Sequence, residues 1–217
     1  MQKLLLTLST AAALSFTVLA FADGGNVHRV NGSIHIQAGQ DAGDLHAVNG
    51  SVDVADSAHA QSISTVNGDI ELGKQASAES VKTVNGDVEL EDGARVAKNA
   101  QSVNGAISLG KGADVAGSAG NVNGRITLVA AHVGGGIRTV AGDIDIGADS
   151  RVEGGILVDE PHGHSSESRA PRVVIGPRAV VDGTLEFRRE VELFVSRSAK
   201  VGTIKGATAK TFDGDKP

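Results

Sequence analysis

The chain of 217 residues contains no cysteine, no tryptophan and no tyrosine. Without cysteine it has no disulfides, no thiolate metal ligands, no thiol nucleophile and no lipid-modified N-terminal cysteine. Outside the first 22 residues, Phe187, Phe194 and Phe212 are the only residues of the Phe, Trp and Tyr group. Because sugar and nucleobase sites commonly use aromatic stacking, this scarcity argues against such sites and against a nucleic-acid partner.

Proline is also rare, and its four positions are Pro161, Pro171, Pro177 and Pro217. Residues 23–160 contain none. Proline removes a hydrogen-bond donor from a β-ladder, so its absence here favours long uninterrupted ladders.

Residues 1–22 are typical of a secretory signal peptide. Lys3 supplies the positive start, residues 4–21 form the apolar run, and Ala20-Phe21-Ala22 is a small-x-small cleavage site. We therefore expect an exported protein, periplasmic, on the cell surface or secreted, whose mature chain begins at Asp23. The alternative is a membrane anchor, but the run is near the lower limit for spanning a bilayer. No other stretch of the sequence predicts a transmembrane segment.

Charge is distributed unevenly along the chain. Residues 23–168 hold 9 basic and 20 acidic side chains, a net charge of −11, whereas residues 169–217 hold 10 and 6, a net charge of +4. Such asymmetry can steer the association of the protein with a charged partner. The alternative is that the two parts of the chain simply expose surfaces of different charge to solvent.

A short repeat dominates the sequence. Residues 66–72 read Val-Asn-Gly-Asp-Ile-Glu-Leu, and close copies begin at Val30, Val48, Val84, Val103, Val122 and Val140. The starts are 18, 18, 18, 19, 19 and 18 residues apart. A fixed short period predicts a stack of units that are each too small to fold alone. We therefore predict an all-β, single-domain parallel β-helix, or β-solenoid, of about nine coils of 18–20 residues.

Three apolar columns run through the repeat when its valine is numbered 1. Positions 5 and 7 are apolar around a polar position 6, as in Ile70, Glu71 and Leu72, which predicts a short strand. Small residues at positions 11 and 13 form a second column, and a third lies three residues before each valine. Three columns per coil predict a roughly triangular cross-section.

The Asn-Gly pair at positions 2 and 3 marks a corner, because both residues tolerate positive φ. In a parallel stack the asparagine amides can bond to one another as a ladder. The predicted ladder comprises Asn31, Asn49, Asn67, Asn85, Asn104 and Asn123.

The period divides the chain into segments. We predict an N-terminal cap at 23–29, regular coils at 30–158, an exposed loop at 159–170, further coils at 171–207 and a tail at 208–217. The loop carries His162, His164, Glu160 and Glu167, which suit either a transition-metal site or a flexible polar loop. His35 and His46 are expected on the surface.

An acidic cluster is the other candidate site. Asp53, Asp69, Glu71, Asp87 and Glu89 fall on one outer face when the coils are stacked. One interpretation is a cation strip with a preference for Ca²⁺. The other is a solvated face whose charges discourage sideways association of sheets.

The repeats resemble the bacterial adhesin-type β-solenoid domain, and Val173–Leu185 is similar to bactofilin coils in its pattern Val-x-Ile-Gly-x-x-Ala-x-Val-x-Gly-Thr-Leu. Together these resemblances cover residues 30–207. They imply a right-handed parallel β-helix, no enzymatic activity and, for bactofilins, end-to-end self-assembly. Bactofilins are mostly cytoplasmic and polymerise through flush coil ends. This chain departs from them in its export signal and in the extra polar residues at both ends.

The sequence thus predicts a non-catalytic, exported structural or adhesin-like protein of the bacterial cell envelope. We expect it to have no cofactor, to have an envelope or surface partner, and to self-assemble through its terminal coils. The alternatives are an extracytoplasmic polysaccharide-active enzyme and a Ca²⁺-binding surface protein, each using the acidic column. An enzyme that cleaves glycans needs paired carboxylates in a cleft lined with aromatic and basic residues, and no such pair is recognisable.

Overall fold

The computed structural model describes residues 24–161 and 169–217, which form 26 strands and no helix. The predicted signal peptide, and His162, His164 and Glu167 of the loop, lie outside the described residues. In the part of the chain that the structure describes, no helix is long and apolar enough to cross a membrane.

The first column of strands is a ten-stranded sheet built from positions 5 to 7 of the repeat. Its strands are β2 (Ile34–Ile36), β4 (Val52–Val54), β6 (Ile70–Leu72), β8 (Val88–Leu90), β11 (Ile107–Leu109), β14 (Ile126–Leu128), β17 (Ile144–Ile146), β20 (Arg172–Ile175), β23 (Glu192–Ser196) and β26 (Lys210–Phe212).

The remaining strands form two further columns, which join because two long strands run through both. These two are β5 (His59–Asn67) and β7 (Ser77–Asn85). The second column continues as β9 (Arg95–Val96), β12 (Asp114–Val115), β15 (His132–Val133), β18 (Arg151–Val152), β21 (Val180–Val181) and β24 (Lys200–Val201). The third contains β1 (Val27–Asn31), β3 (Leu45–Asn49), β10 (Ala100–Asn104), β13 (Ala119–Gly120), β16 (Ile137–Thr139), β19 (Ile156–Val158), β22 (Leu185–Phe187) and β25 (Ile204–Lys205).

Equal repeat positions lie on top of one another in neighbouring coils. Ile70 pairs with Val52 on one side and Val88 on the other, in parallel orientation. Asn67 pairs in the same way with Asn49 and Asn85. The predicted all-β parallel solenoid is therefore confirmed.

The core fills the space between the columns. The apolar side chains of all three predicted columns are buried, from Ile34 in the first coil to Val195 near the end. A fourth inward column, one residue before each repeat valine except Val30, was not anticipated. It is occupied by Ala47, Thr65, Thr83, Ser102, Asn121 and Thr139, all buried.

The solenoid has about ten turns, one more than the nine coils counted from the sequence. The additional turn ends in β26, where Thr211 pairs with the buried Val195. Because the exposed Thr211 stands at the repeat position that is apolar in the other coils, the pattern that defines those coils is absent from the sequence of this turn. β26 lies within the predicted tail, and β1 begins within the predicted cap.

The stack continues across the loop. Ile144 pairs with Val173, so the register resumes after 29 residues, the separation that also joins Asp143 and Arg172. The extra residues between Val158 and Arg172 therefore leave the strand pairing intact.

Candidate functional site

The six predicted ladder asparagines form one continuous hydrogen-bonded column on the surface. Each later Nδ2 donates to the preceding Oδ1, over the pairs Asn49–Asn31 (3.1 Å), Asn67–Asn49 (2.9 Å), Asn85–Asn67 (2.9 Å), Asn104–Asn85 (3.0 Å) and Asn123–Asn104 (2.9 Å). The amides are thus engaged with one another and hold the corner of each coil to the next.

Two of the five acidic candidates are engaged by the backbone. Asp69 Oδ1 accepts the N–H of Asp87 at 2.8 Å, and Asp87 Oδ1 accepts the N–H of Ala106 at 2.7 Å. Ser33 and Ser51 fill the same position in earlier coils, and Ser51 Oγ accepts the N–H of Asp69 at 3.2 Å. Position 4 therefore ties successive coils together from Ser33 to Ala106, which is a structural role for these carboxylates.

The other three candidates, Asp53, Glu71 and Glu89, stack in one outward column. Asp53 Oδ2 lies 2.6 Å from His35 Nδ1, so this carboxylate has a partner. Partial burial, followed by repulsion from Asp53, Glu89 and Glu91, raises the pKa of Glu71. The middle of the column therefore carries mutually repelling charges at neutral pH.

Within residues 24–161 and 169–217, no group of three or more His, Asp or Glu side chains is arranged to hold a metal ion. Calcium takes about six to eight oxygen ligands at about 2.4 Å. The candidates share a face, but Asp69 and Asp87 bond to backbone amides and Asp53 to an imidazole. The arrangement that the structure gives is thus an acidic surface and not a convergent ligand set.

A column of buried polar side chains was missed by the sequence reasoning. Thr65, Thr83 and Ser102 donate through their hydroxyls to the carbonyl of a corner glycine in the preceding coil, at 2.9–3.0 Å. Further along, Thr139 Oγ1 donates to Asn121 Oδ1 at 2.7 Å. The available signal was a hydroxyl or amide residue directly before the valine in successive copies of the repeat.

The exit of the loop is fixed to the solenoid at Asp143. Both carboxylate oxygens of Asp143 lie 2.8 Å from Nη2 of Arg169, and Oδ1 accepts the N–H of Arg172 at 2.9 Å. Burial alone would raise the pKa of Asp143, but these hydrogen bonds outweigh it and hold the pKa below its ordinary value. Asp143 thus continues the position-4 bonding pattern across the loop.

The last turn presents a basic surface. Lys200, Lys205 and Lys210 are exposed, one in each of the terminal strands β24, β25 and β26. Nζ of Lys210 lies 5.4 Å from the ring centroid of Phe194, and Cζ of Arg172 lies 4.9 Å from it. Three of the ten basic residues of the C-terminal part therefore lie on the edge strands of the stack.

Comparison with protein-family models, with curated proteins and with solved structures gives no match. The resemblance seen in the repeats is therefore supported at the level of the β-solenoid fold alone, and no family is assigned to the chain.

Proposed function

We propose that the protein is a non-catalytic, exported rod with a structural or adhesin-like role in the bacterial cell envelope, and that its copies associate end to end. The observation that carries this proposal is that the stack formed by residues 24–161 and 169–217 leaves strand edges at both of its ends. β1 and β2 lie at one end, and β24, β25 and β26 lie at the other. An unpaired strand edge is a template for pairing with another chain.

The charges of the two ends support a head-to-tail contact. The first two coils carry Asp41, Asp44, Asp53 and Asp56 against a single Arg29, whereas residues 197–217 carry one arginine and four lysines against Asp213 and Asp215. Lysine on an edge strand discourages indiscriminate pairing, so the basic end favours an acidic partner edge. A contact between unlike ends is heterologous and propagates into filaments.

Sedimentation velocity at rising protein concentration tests the association. We expect the sedimentation coefficient to increase with concentration and to fall when salt is added, because salt screens the charges of the ends. The triple variant Lys200→Glu, Lys205→Glu, Lys210→Glu should remain monomeric. The matched control Lys74→Glu, Lys82→Glu, Lys111→Glu changes the net charge equally but lies in the middle of the rod, and it should associate like the parent. A parent protein that stays monomeric at high micromolar concentration would contradict the proposal.

A Ca²⁺-binding surface is the alternative that a specific observation favours. The raised pKa of Glu71 reflects, after burial, repulsion within the acidic column, and a bound cation would relieve it. Calorimetric titration with Ca²⁺ distinguishes the two functions. Saturable heat that disappears in Glu71→Gln, Glu89→Gln supports the alternative, and the absence of heat at millimolar Ca²⁺ removes it.

A further inference from the structure

A groove runs along the rod where the second column of strands meets the third. β5 and β7 pass straight from one column to the other, but from the next coil onward the chain bends between two separate strands. The bends create an open cavity of about 650 Å³ that extends from Gln101 in β10 to Glu186 in β22. This volume is in the range of small-molecule sites.

Gly120 leaves a notch in the floor of this groove. The outward ladder of the third column reads Gln101, Gly120, Arg138, Leu157 and Glu186 in successive coils. Gly120 has no left-handed φ, and an added Cβ would lie 3.2 Å from the carbonyl oxygen of Arg138. A shift of a few tenths of an ångström would accommodate a methyl group there.

Other glycines beside the groove are required by close stacking. A Cβ on Gly135 would lie 2.7 Å from the carbonyl carbon of Gly117, and one on Gly154 would lie 2.4 Å from that of Gly135. Backbone packing therefore explains these residues. Backbone packing does not require a glycine as strictly at position 120, so the absence of a side chain there needs another explanation.

The side chains on either side of the notch lack partners. Neither the guanidinium of Arg138 nor the amide of Gln101 makes a hydrogen bond or ion pair with any residue of 24–161 or 169–217. Nearby arginines behave differently, since Arg151 pairs with Asp182 and Arg188 Nε lies 2.8 Å from Glu186. Arg138 is therefore the uncompensated charge in the groove.

The backbone of the floor is already used by the stack. The N–H of Ile137 donates to Gly155 O at 2.9 Å, and the N–H of Ile156 donates to Thr184 O at 3.0 Å. A peptide therefore cannot add to this face as an extra strand. A ligand must instead use the side chains, which offer the guanidinium of Arg138, the amide of Gln101 and the aliphatic surfaces of Val122 and Leu157. The groove also contains the carboxylate of Glu186, whose charge is compensated by Arg188.

We propose that this groove binds an acidic oligosaccharide, with the carboxylate of a uronic-acid unit on Arg138, hydroxyl groups on Gln101 and a sugar ring in the notch over Gly120. No aromatic ring of the described residues lines the groove, so recognition rests on these polar contacts instead of the stacking that most sugar sites use. A guanidinium forms a bidentate hydrogen-bonded ion pair with a carboxylate, and an amide can both donate hydrogen bonds to hydroxyl groups and accept them. The inference does not depend on end-to-end association, because the groove lies on the side of the rod.

Isothermal titration calorimetry with a trimer of galacturonic acid tests the proposal. We expect saturable binding, at least about ten-fold tighter than that of the neutral galactose trimer. Arg138→Gln should weaken binding at least about ten-fold, because it removes the one unpaired charge. Arg95→Gln, an exposed arginine of the second column, is the matched control and should bind like the parent.

Gly120→Leu fills the notch and should abolish binding while the melting temperature shows that the fold persists. If that variant does not fold, Arg138→Gln still decides the question because its side chain is exposed. The proposal is overturned by the absence of saturable heat in the parent, by unchanged affinity in Arg138→Gln, or by equal binding of hexaglutamate, which would indicate charge attraction to an acidic peptide. None of these outcomes bears on the sedimentation behaviour.

Discussion

Replacing Gly105 by alanine tests whether the corner glycines are required by the packing of neighbouring coils. The φ of Gly105 is not left-handed, so alanine meets no backbone penalty there. Its Cβ, however, would lie 1.9 Å from the carbonyl oxygen of Gly86, a distance that real Cβ atoms do not show. The two coils would have to separate locally by about 1 Å, against the close packing of the interior.

The cost can be worked from the contacts that such a separation strains. Overpacking a well-packed site costs about 1–3 kcal/mol. The N–H of Gly86 donates to Asn104 O at 3.1 Å, and the N–H of Val88 donates to Ala106 O at 2.9 Å, both between the two coils. Weakening these two backbone hydrogen bonds adds about 1 kcal/mol each. We therefore expect Gly105→Ala to lower the free energy of unfolding by about 3–5 kcal/mol.

Guanidinium denaturation followed by circular dichroism measures this free energy, with two controls that separate the causes. Gly112 has a φ of +70° and open space around its Cα, so Gly112→Ala carries only the left-handed penalty of about 1 kcal/mol. Gly25 has neither feature, and Gly25→Ala should change stability by less than about 0.5 kcal/mol. The reasoning is refuted if Gly105→Ala costs no more than Gly112→Ala.

Two further predictions concern pH. Glu71→Gln should stabilise the protein by about 0.5 kcal/mol at pH 7, since it removes a charge repelled by its neighbours. The raised pKa of Glu71 means that ionisation of this carboxyl lowers stability as pH rises through the pKa, so thermal melts should show the gain shrinking towards acid pH. A gain that persists in acid would contradict charge repulsion as its cause. Asp143→Asn should cost about 2 kcal/mol at neutral pH by removing the charge-assisted bonds to Arg169 and Arg172. The lowered pKa of Asp143 gives stability that is present above the ordinary carboxyl pKa and is lost as pH falls through the lowered pKa. Parent and variant should therefore melt alike in strong acid. Equal stability at pH 7 would refute the role of Asp143 in fixing the end of the loop.

The fold could be predicted because a parallel stack turns sequence period into spatial contact. Ile70 contacts Val52 and Val88, the residues one period away on either side, so the repeat itself shows which side chains meet. The asparagine ladder follows from the same relation. The last turn was missed for the converse reason, since Thr211 breaks the apolar pattern while its backbone still pairs.

The roles of the polar residues could not be predicted in this way. Asp69 and Glu71 are both acidic and only two residues apart, yet Asp69 bonds to the next coil's backbone while Glu71 projects outward among like charges. Thr83 is buried because a glycine carbonyl lies within reach of its hydroxyl. Such outcomes depend on side-chain length and on the position of a carbonyl in the preceding coil, neither of which a period encodes.

In a stack of this kind, departures from the repeat carry more information about function than the repeat does. A ladder residue such as Asn85 is constrained by its partners above and below, so its presence is explained by the fold. Gly120 and Arg138 interrupt their column without a comparable packing reason, and the lysines of the last turn lie on the outermost described strands of the stack. The groove and the basic end are therefore the two places where we expect the solenoid to meet other molecules.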